Sequence, residues 1–293
     1  MKTILLTGAT GFLGSHLLES FILQGFDVVI LKRSTSNTRR IDHLLNKFKS
    51  YNIDEVALEI IFEETKPTVI VHTACSYGRS NESMVDIVNT NLIFGLNLLD
   101  EAIKNKVQTF INTDSLLPRN VNDYSLSKAQ FTDWLYQRSE KIQVINFKIE
   151  QMYGAKDDTN KFLPWLMNEM IGKTNDINLT SGIQKRDFIY ITDVVAAYDL
   201  VLQKRKNLPN WSQFDIGTNI FTEVKEFVLM IAKELEKLTE REIAYRLKFG
   251  AIPYRKGDVM IPELDNTKLM GLGWKPKVTI INGIQKILKN NKQ

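Results

Sequence analysis

The sequence predicts an α/β fold with a doubly wound parallel sheet and a smaller lobe toward the carboxyl end. Three observations support this prediction. Short apolar runs rich in β-branched residues alternate with amphipathic helical stretches through the first half of the chain, and such alternation is typical of parallel sheets. A glycine-rich turn joins the first predicted strand to the first predicted helix. Beyond about residue 155 the alternation lapses, which indicates a second lobe within the 293 residues.

The individual elements follow from hydrophobic periodicity and from the residues that end each run. The strands predicted for the sheet are 2–7, 27–31, 48–53, 68–72, 109–112 and 143–147, with helices at 13–24, 54–65, 84–105 and 125–140. The strand at 48–53 is the weakest because its apolar residues alternate poorly. The rest of the chain predicts an amphipathic stretch at 161–171, a basic turn at 184–187, helices at 193–203, 223–238 and 279–289, and a strand at 213–216.

Composition argues against several classes of protein. Hydrophobic residues make up 43% of the chain and charged residues 25%, and no window nears the roughly 18 apolar residues of a membrane span. The net charge of +4 is dispersed, so we expect no nucleic-acid partner. The three histidines lie far apart, so we expect no metal site. A single cysteine, and a first strand that begins without room for a leader, favour a cytoplasmic protein.

The glycine-rich turn has the sequence Thr7-Gly8-Ala9-Thr10-Gly11-Phe12-Leu13-Gly14. Its position between a strand and a helix is the context that a dinucleotide-binding motif requires. Gly8 permits the tight turn, Gly11 lets the backbone approach a pyrophosphate, and Gly14 allows the helix to pack closely on the strand. We therefore predict that a dinucleotide cofactor contacts Thr7, Gly8, Thr10, Gly11, Phe12, Leu13 and Gly14.

The second predicted strand is followed by Lys32-Arg33, whereas an NAD site usually has an acidic residue here that binds the adenosine ribose. A guanidinium suits the 2′-phosphate of NADPH, so Lys32 and Arg33 favour NADPH over NADH as the cofactor. The alternative is a solvated basic loop with no role in binding.

Tyr124 and Lys128 are four residues apart at the start of a predicted helix, so both lie on one helical face. At that spacing the ammonium can lower the pKa of the phenol and hold a ribose hydroxyl. Ser115 lies at the carboxyl end of the fifth predicted strand, where sheets of this kind bind ligands. Together these residues predict a catalytic site with a proton donor.

The chain resembles the extended short-chain dehydrogenase/reductases, the NAD-dependent epimerase/dehydratase family, over essentially its whole length. The matching stretches are the glycine-rich turn, His72-Thr-Ala-Cys75, Asn91 before Asn97-Leu-Leu99, the Tyr124 and Lys128 pair, and Arg186-Asp-Phe-Ile-Tyr-Ile-Thr-Asp193. Within this family the segments 76–83, 153–155 and 179–190 look most like those of the CDP-paratose and CDP-abequose synthases. The resemblance implies reduction of a 4-keto sugar with NADPH.

The same resemblance implies a Rossmann fold and roles for further residues. Residues 1–154 with about 188–218 would form the dinucleotide-binding domain, and about 155–187 with 219–293 the nucleotide-sugar-binding lobe. Ser115, Tyr124 and Lys128 would be catalytic, with Thr113 as the alternative hydroxyl. Further cofactor contacts would come from Ala74, Cys75, Asn91, Thr113, Tyr124 and Lys128, and substrate contacts from Arg79, Asn81, Gln151, Thr180, Arg186 and Arg255. The helices at 84–105 and 125–140 match those that pair across a homodimer axis in this family.

The residues after Ser115 bear on the type of reaction. Related 4,6-dehydratases have two acidic residues there, whereas this chain has Leu116 and Leu117, so the resemblance argues against dehydration. Epimerisation at C3 or C5 would need a further acid/base pair, for which no histidine is suitably placed. We therefore expect reduction of the 4-keto group of a CDP-linked deoxyhexose in the synthesis of surface-polysaccharide sugars such as those of the O-antigen.

Two alternatives stay open at this point. One is another enzyme of the same family, either a dTDP- or GDP-linked 4-ketoreductase or a nucleotide-sugar 4-epimerase that retains its NAD. The other is a non-catalytic dinucleotide-binding protein, against which the joint presence of Ser115, Tyr124 and Lys128 argues.

Overall fold

A seven-stranded parallel sheet forms the centre of the fold in the computed structural model, which describes residues 3–79, 81–172, 175–255 and 257–290. The strands of the described residues are β1 (Thr3–Thr7), β2 (Asp27–Lys32), β3 (Lys49–Asn52), β4 (Val69–His72), β5 (Thr109–Ser115), β6 (Gln143–Ile149), β7 (Gln151–Tyr153), β8 (Ile177–Leu179), β9 (Lys185–Tyr190), β10 (Trp211–Ile216), β11 (Phe221–Glu223) and β12 (Leu247–Phe249).

The helices connect these strands in the order that the sequence predicts. They are α1 (Phe12–Leu23), α2 (Leu58–Thr65), α3 (Met84–Val88), α4 (Phe94–Lys104), α5 (Asp123–Arg138), α6 (Phe162–Gly172), α7 (Ile191–Lys204), α8 (Val224–Thr239), α9 (Thr267–Gly271) and α10 (Ile280–Asn290). A π-helical turn, Asn89–Ile93, joins α3 to α4, so the helix predicted at 84–105 is continuous but locally widened.

The large sheet has the strand order β10-β6-β5-β4-β1-β2-β3, and every neighbouring pair is parallel. Ile4, Leu5 and Leu6 of β1 are 0% exposed. Consecutive residues of a strand point to opposite faces, so both faces of the sheet are covered at this point. The predicted doubly wound parallel sheet is confirmed.

The strand order reverses at β1, which has β2 on one side and β4 on the other. Ligands bind to such sheets beyond the carboxyl ends of the strands at this reversal. The register aligns Thr7 with His72, His72 with Asn112, and Ser115 with Ile149. The glycine-rich turn, the segment after His72 and Ser115 therefore follow three adjacent strands at the same edge.

The strands and helices predicted for the first half are confirmed with small shifts at their ends, although Lys2 lies outside the described residues. The basic turn predicted at 184–187 is wrong, because Lys185–Tyr190 forms β9. Lys185 and Arg186 are half-buried while the next four residues are buried. The basic residues thus mark the accessible beginning of a strand.

The chain folds as two compact units. One contains the residues through Ile149, Val195–Ile216 and Thr267–Trp274, and holds the large sheet. The other contains Glu150–Val194, Gly217–Asn266 and the residues from Lys275 onward, with a three-stranded sheet, β11-β9-β7, and a two-stranded sheet, β12-β8. The assignment of the cofactor to one unit and the nucleotide sugar to the other stays a prediction.

Candidate active site

The glycine-rich turn is tightly packed against the neighbouring strand. Gly8 has a φ of +69°, and a Cβ added to it would lie 2.7 Å from the backbone nitrogen of Ala74. The Gly11 N–H donates to the Gly8 carbonyl over 2.9 Å. A Cβ on Gly14 would overlap the same carbonyl oxygen. Neither Gly8 nor Gly14 can therefore be replaced without moving the backbone.

The start of α1 fits a phosphate group. Among the described residues no side chain caps this helix end, and the first turn contains no acidic residue. The N–H groups of the first helical turn and the positive end of the helix dipole therefore favour an anion. Phe12 and Leu13 are only 3% and 4% exposed, so their side chains belong to the core. Only their backbone N–H groups can serve the predicted cofactor site.

Thr7 stabilises the junction between β1 and β4. Its hydroxyl accepts the N–H groups of Thr73 and Ala74, each over 3.2 Å, and lies 2.8 Å from Nδ1 of His72. Because the hydroxyl already accepts twice, it donates to His72, which places the imidazole proton on Nε2. Burial is the larger cause that lowers the pKa of His72 to about 3, and the charge of Lys128 is the smaller one. His72 is therefore neutral at physiological pH.

The basic residues after β2 have different surroundings. Lys32 donates to the Asn52 side chain, whereas Arg33 is exposed. Arg40, which the sequence analysis missed, donates from its guanidinium to the carbonyl of Thr10 in the glycine-rich turn over 3.3 Å. No periodic pattern marks Arg40, because it lies in the irregular loop between β2 and β3.

Ser115 and Tyr124 form the centre of the candidate active site. Ser115 ends β5, and Tyr124 lies in the first turn of α5, whose start is fixed by a capping box between Asn122 and Ser125. Both side chains are half-buried, and Ser115 lies close enough to Tyr124 to lower the pKa of its phenol by hydrogen bonding. The Ser115 hydroxyl also accepts the Leu117 N–H over 3.1 Å, which leaves its own proton for Tyr124.

The surroundings of Tyr124 keep its phenol protonated. Burial raises the pKa of Tyr124 well above its ordinary value, and the neighbouring Cys75 and Asp114 raise it further. The hydrogen bond from Ser115 and the positive charge of Arg79 lower this pKa without reversing the shift. The phenol can therefore act as a proton donor at neutral pH.

Lys128 lies one helical turn after Tyr124 and is 2% exposed. Its charge lowers the pKa of His72. Arg79 is a further cation that lowers the pKa of Tyr124. The predicted effect of Lys128 on this phenol stays a prediction.

The two hydroxyls considered for β5 have different partners. The Thr113 hydroxyl lies 2.7 Å from the hydroxyl of buried Tyr198, whereas Ser115 is the residue that influences the pKa of Tyr124. Ser115 is thus the hydroxyl beside the phenol.

Asp114 is a buried acid that the sequence analysis missed. It is 6% exposed and accepts hydrogen bonds from the Thr132 hydroxyl over 2.9 Å and from the Asn146 amide over 3.2 Å. An acidic residue directly before the predicted hydroxyl, at the carboxyl end of a strand, was the signal that could have identified it.

The segment after β4 lies against Tyr124. The rings of Tyr77 and Tyr124 have centroids 5.0 Å apart, with 35° between their planes. On Tyr77 the Arg79 guanidinium lies 5.3 Å from the ring centroid. Asn81, predicted to reach the sugar, is exposed and has a φ of +62°.

Asn91, predicted to contact the cofactor, is 0% exposed. Its side-chain oxygen accepts the Ser76 N–H over 2.7 Å. Its amide donates to the Ser76 carbonyl over 2.9 Å and to the Ser127 hydroxyl over 3.0 Å. Asn91 thus joins the π-helical turn, the segment after β4 and α5 to one another.

The remaining predicted substrate residues lie in the second unit, and one of them, Arg186, is bonded to other residues of the protein. The Arg186 guanidinium donates over 2.6 Å to the Asp258 carboxylate and also to the carbonyls of Lys185 and Val259. Gln151 and Arg255 are exposed, and Thr180 is half-buried. The charge of Arg186 is therefore already neutralised within the protein.

Glu150 follows β6 directly and is a further ionisable group that the sequence analysis missed. Burial raises the pKa of its carboxyl to about 7, although the Arg186 charge and a hydrogen bond from the Asp187 backbone oppose the shift.

Two features are absent from residues 3–79, 81–172, 175–255 and 257–290. These residues contain no group of three or more His, Cys, Asp or Glu side chains that could hold a metal ion. They also contain no helix with the length and apolar character to cross a membrane.

A family model matches most of the chain. The model described as the NAD dependent epimerase/dehydratase family matches residues 4–217. The chain belongs to this family. It is therefore an enzyme of the NAD(P)-dependent oxidoreductase type, and the resemblance predicted from the sequence is confirmed.

Curated relatives match over nearly the full length. The CDP-abequose synthase of Salmonella typhimurium is 30% identical over 296 residues, which cover 98% of this chain and 97% of that protein. The CDP-abequose synthase of Salmonella muenchen is 31% identical over 297 residues, with the same coverage. A putative UDP-glucose 4-epimerase of Methanocaldococcus jannaschii is 26% identical over 314 residues, or 98% of this chain and 99% of that protein.

Solved structures with the same fold include epimerases. The UDP-glucose 4-epimerase of Thermotoga maritima, solved with UDP-glucose, has a TM-score of 0.85 at 24% identity and covers 99% of this chain and 100% of that chain. The UDP-glucose 4-epimerase of Thermus thermophilus, solved with NAD, has a TM-score of 0.79 at 23% identity over 98% and 99% of the two chains. These matches confirm the Rossmann-type fold.

Proposed function

We propose that this protein uses NADPH to reduce the 4-keto group of a nucleotide-activated 4-keto-deoxyhexose, the nucleotide being CDP and the product a sugar for a surface polysaccharide. The observation that carries the proposal is the Ser115 and Tyr124 pair, in which a hydroxyl lies beside a phenol that keeps its proton. Leu116 and Leu117 directly follow Ser115 and offer no acid or base for dehydration. Similarity to two CDP-abequose synthases favours the CDP-linked substrate.

The proposed mechanism assigns one role to each residue of the pair. When bound, NADPH supplies the hydride that adds to the carbonyl carbon. Tyr124 donates a proton to the carbonyl oxygen, while Ser115 donates a hydrogen bond to the same oxygen as negative charge develops on it. Water then returns a proton to Tyr124. Lys128 holds the nicotinamide ribose, as the resemblance to the family implies.

The preference for NADPH rests on the cations near the glycine-rich turn. Exposed Arg33 follows β2, and Arg40 contacts the turn at Thr10. An acid also lies in this region, since the Asp54 carboxylate accepts the backbone N–H of Ser34 over 2.8 Å. An acid near the adenosine ribose instead favours NADH. Titration with both reduced cofactors decides between them. Equal affinity for NADPH and NADH would contradict the role of Arg33.

The proposal extends to the substrate contacts and to assembly. Arg79 and Asn81 are expected to approach the sugar, and Gln151 and Thr180 to contact the substrate further along. For the diphosphate, Arg255 is favoured over Arg186, because the Arg186 charge is paired with Asp258. The expected assembly is a homodimer in the cytoplasm.

A 4-epimerase that retains NAD is the second candidate, since epimerases share the fold. Such an enzyme first removes a proton from the sugar hydroxyl, which requires an ionised tyrosine. Because hydride returns to the sugar in such an enzyme, it would interconvert two nucleotide sugars with no net loss of cofactor.

The decisive experiment incubates the protein with NADPH and CDP- or dTDP-linked 4-keto-6-deoxy and 4-keto-3,6-dideoxy sugars. Stoichiometric loss of NADPH, with the alcohol identified by mass and proton NMR, is expected. Interconversion of two nucleotide sugars without loss of NADPH would identify an epimerase, and no reaction with any sugar would contradict both candidates.

Replacing Tyr124 by Phe tests the mechanism within the same assay. We expect turnover to fall by about 10²- to 10⁴-fold, which is the usual contribution of a positioned proton donor. Affinity for NADPH should stay near that of the wild type. The control is Tyr136→Phe, which changes an exposed tyrosine of the same helix. Unchanged turnover in Tyr124→Phe would contradict the proposed role.

A further inference from the structure

Tyr77 contacts the phenol of Tyr124 and has no role in the mechanism proposed above. We infer that Tyr77 is a positioning residue for the proton donor. Its ring packs against the Tyr124 ring and also contacts the Arg79 guanidinium. The effect of Tyr77 on the reaction rate rests on the proposed function, whereas its contact with Tyr124 does not. Tyr77 belongs to the segment after β4, far in sequence from the Tyr124 and Lys128 pair.

The ring contact restricts where the phenol can point. The centroid distance of 5.0 Å lies within the range of stabilising aromatic pairs, and the 35° between the planes makes it a tilted pair. Tyr124 is in the first turn of α5 and is half-buried. Without a neighbouring ring, its side chain could turn toward solvent. With Tyr77 in place, the hydroxyl stays beside Ser115.

The same ring fixes the position of a positive charge. The Arg79 guanidinium lies 5.3 Å from the Tyr77 centroid, within the usual distance of a cation–π contact. Arg79 lowers the pKa of Tyr124, in opposition to burial. Because Arg79 is exposed and flexible by nature, the contact with Tyr77 keeps its charge close to the phenol.

The segment that carries Tyr77 is itself firmly held. Asn91 bonds both the N–H and the carbonyl of Ser76, and the Ser76 hydroxyl donates to Glu82 over 3.2 Å. Gly78 has a φ of +65°, and a Cβ there would lie 2.8 Å from Cδ1 of Ile87. The backbone on both sides of Tyr77 is therefore fixed, as positioning another side chain requires.

The first test reads the contact without any substrate. Tyrosine labelled with ¹³C at Cζ is incorporated, and the Tyr124 signal is identified by its loss in Tyr124→Phe. We expect Tyr77→Leu to shift and broaden this signal, and Tyr77→Phe to restore it. The control is Tyr136→Leu on the same helix, which removes a ring pair with Trp211 of β10 at 5.2 Å. An unchanged Tyr124 signal in Tyr77→Leu would overturn the inference.

The second test uses the reduction assay. We expect Tyr77→Leu to lower kcat by about 10- to 100-fold, because small misplacements of a catalytic group have effects of this size. KM should change by less than about threefold, and the solvent deuterium isotope effect on kcat should rise, because proton transfer becomes slower. Tyr77→Phe should recover most of the loss. A rise in KM alone, or a lower kcat with an unchanged isotope effect, would contradict positioning of the proton donor.

Failure of the proposed function is distinguishable from failure of this inference. A wild-type protein that reduces no keto sugar contradicts the proposed function, and the ¹³C signal of Tyr124 then still decides the role of Tyr77. Thermal unfolding of Tyr77→Leu verifies that the variant is folded in both experiments.

Discussion

At the scale of single residues, burial moves the pKa values of His72 and Glu150 in opposite directions. It lowers the pKa of His72 from 6.5 to about 3 and raises that of Glu150 from 4.5 to about 7. Both shifts favour the neutral form, since burial penalises charge. The two residues therefore make the stability of the protein depend on pH in opposite ways.

His72 should destabilise the protein in acid. Its folded pKa lies below the unfolded value, so its contribution is complete above pH 6.5 and is lost as the pH falls toward 3. At pH 5 the loss should be about 2 kcal/mol. The Asn side chain of His72→Asn can still accept a hydrogen bond from Thr7. In urea unfolding, we expect this variant to lose about 2 kcal/mol less stability between pH 7 and pH 5 than the wild type loses. The control His43→Gln replaces a half-exposed imidazole. Identical pH dependence of His72→Asn and the wild type would refute this account.

Glu150 should destabilise the protein at higher pH. Its folded pKa lies above the unfolded value, so its contribution is complete below about pH 4.5 and is lost as the pH rises through about 7. Glu150→Gln removes the ionisation and keeps an oxygen that accepts the Asp187 N–H. We expect the variant to gain stability relative to the wild type between pH 5.5 and pH 8.5. Exposed Glu140→Gln is the matched control. A constant difference across this range would be inconsistent with a raised pKa.

Some residues of the candidate site could be predicted from the sequence and others could not. Ser115 and Tyr124 follow from the end of a strand and from spacing within a helix, which are local patterns. Tyr77 and Arg40 act through contacts with residues distant in the chain, and no local pattern marks such contacts. Arg79 adds a positive charge near the phenol from the segment after β4, and spacing within a helix does not reveal such a contribution.

At the scale of the elements, the crossing of β1 and α1 depends on Gly14. A Cβ there would overlap the Gly8 carbonyl, so Gly14→Ala must move the helix away from the turn. We expect a loss of about 1–3 kcal/mol in stability, typical of overpacking, together with weaker NADPH binding. Thermal unfolding and cofactor fluorescence measure the two effects. Gly271→Ala is the control, since nothing lies within 4 Å of its added Cβ. Normal NADPH binding by Gly14→Ala would contradict the account of the turn.

Element prediction succeeded where strands are fully buried. The strands β1, β2 and β4 have apolar runs because both faces of the sheet are covered there, and these runs identify them from the sequence. It failed around β9, whose partners β7 and β11 have three residues each and are too short to show alternation. It also did not foresee the π-helical turn at Asn89–Ile93, because the inserted residue leaves the apolar pattern of the helix readable.

At the scale of the whole molecule, apolar residues remain accessible on the helices expected to form a dimer. Ile93 is 43% exposed and Trp134 is 45% exposed. If two copies pair through these helices, a charge placed there must be desolvated. We expect the wild type to be a dimer by light scattering and Ile93→Asp and Trp134→Glu to shift it toward monomer. Leu23→Asp, at a residue 81% exposed on α1, should stay dimeric. A monomeric wild type would contradict the proposed homodimer.

The division of the chain into units also belongs to this scale. Thr267–Trp274 packs with the first unit although about 50 residues of the second unit precede it, namely Gly217–Asn266. The sequence analysis assigned this segment to the smaller lobe. No property of residues Thr267–Trp274 indicates that they pack with the first unit, because their place depends on the path of the intervening chain.

The single cysteine of the chain acquires a practical use from its place in the fold. Cys75 is half-buried and lies near enough to Tyr124 to raise the pKa of the phenol. A thiol-reactive fluorophore would attach at this one position, with no need to remove other cysteines first. The fraction of protein that a bound ligand protects from labelling would then measure how many sites are occupied. Cys75 can therefore be used for active-site titration.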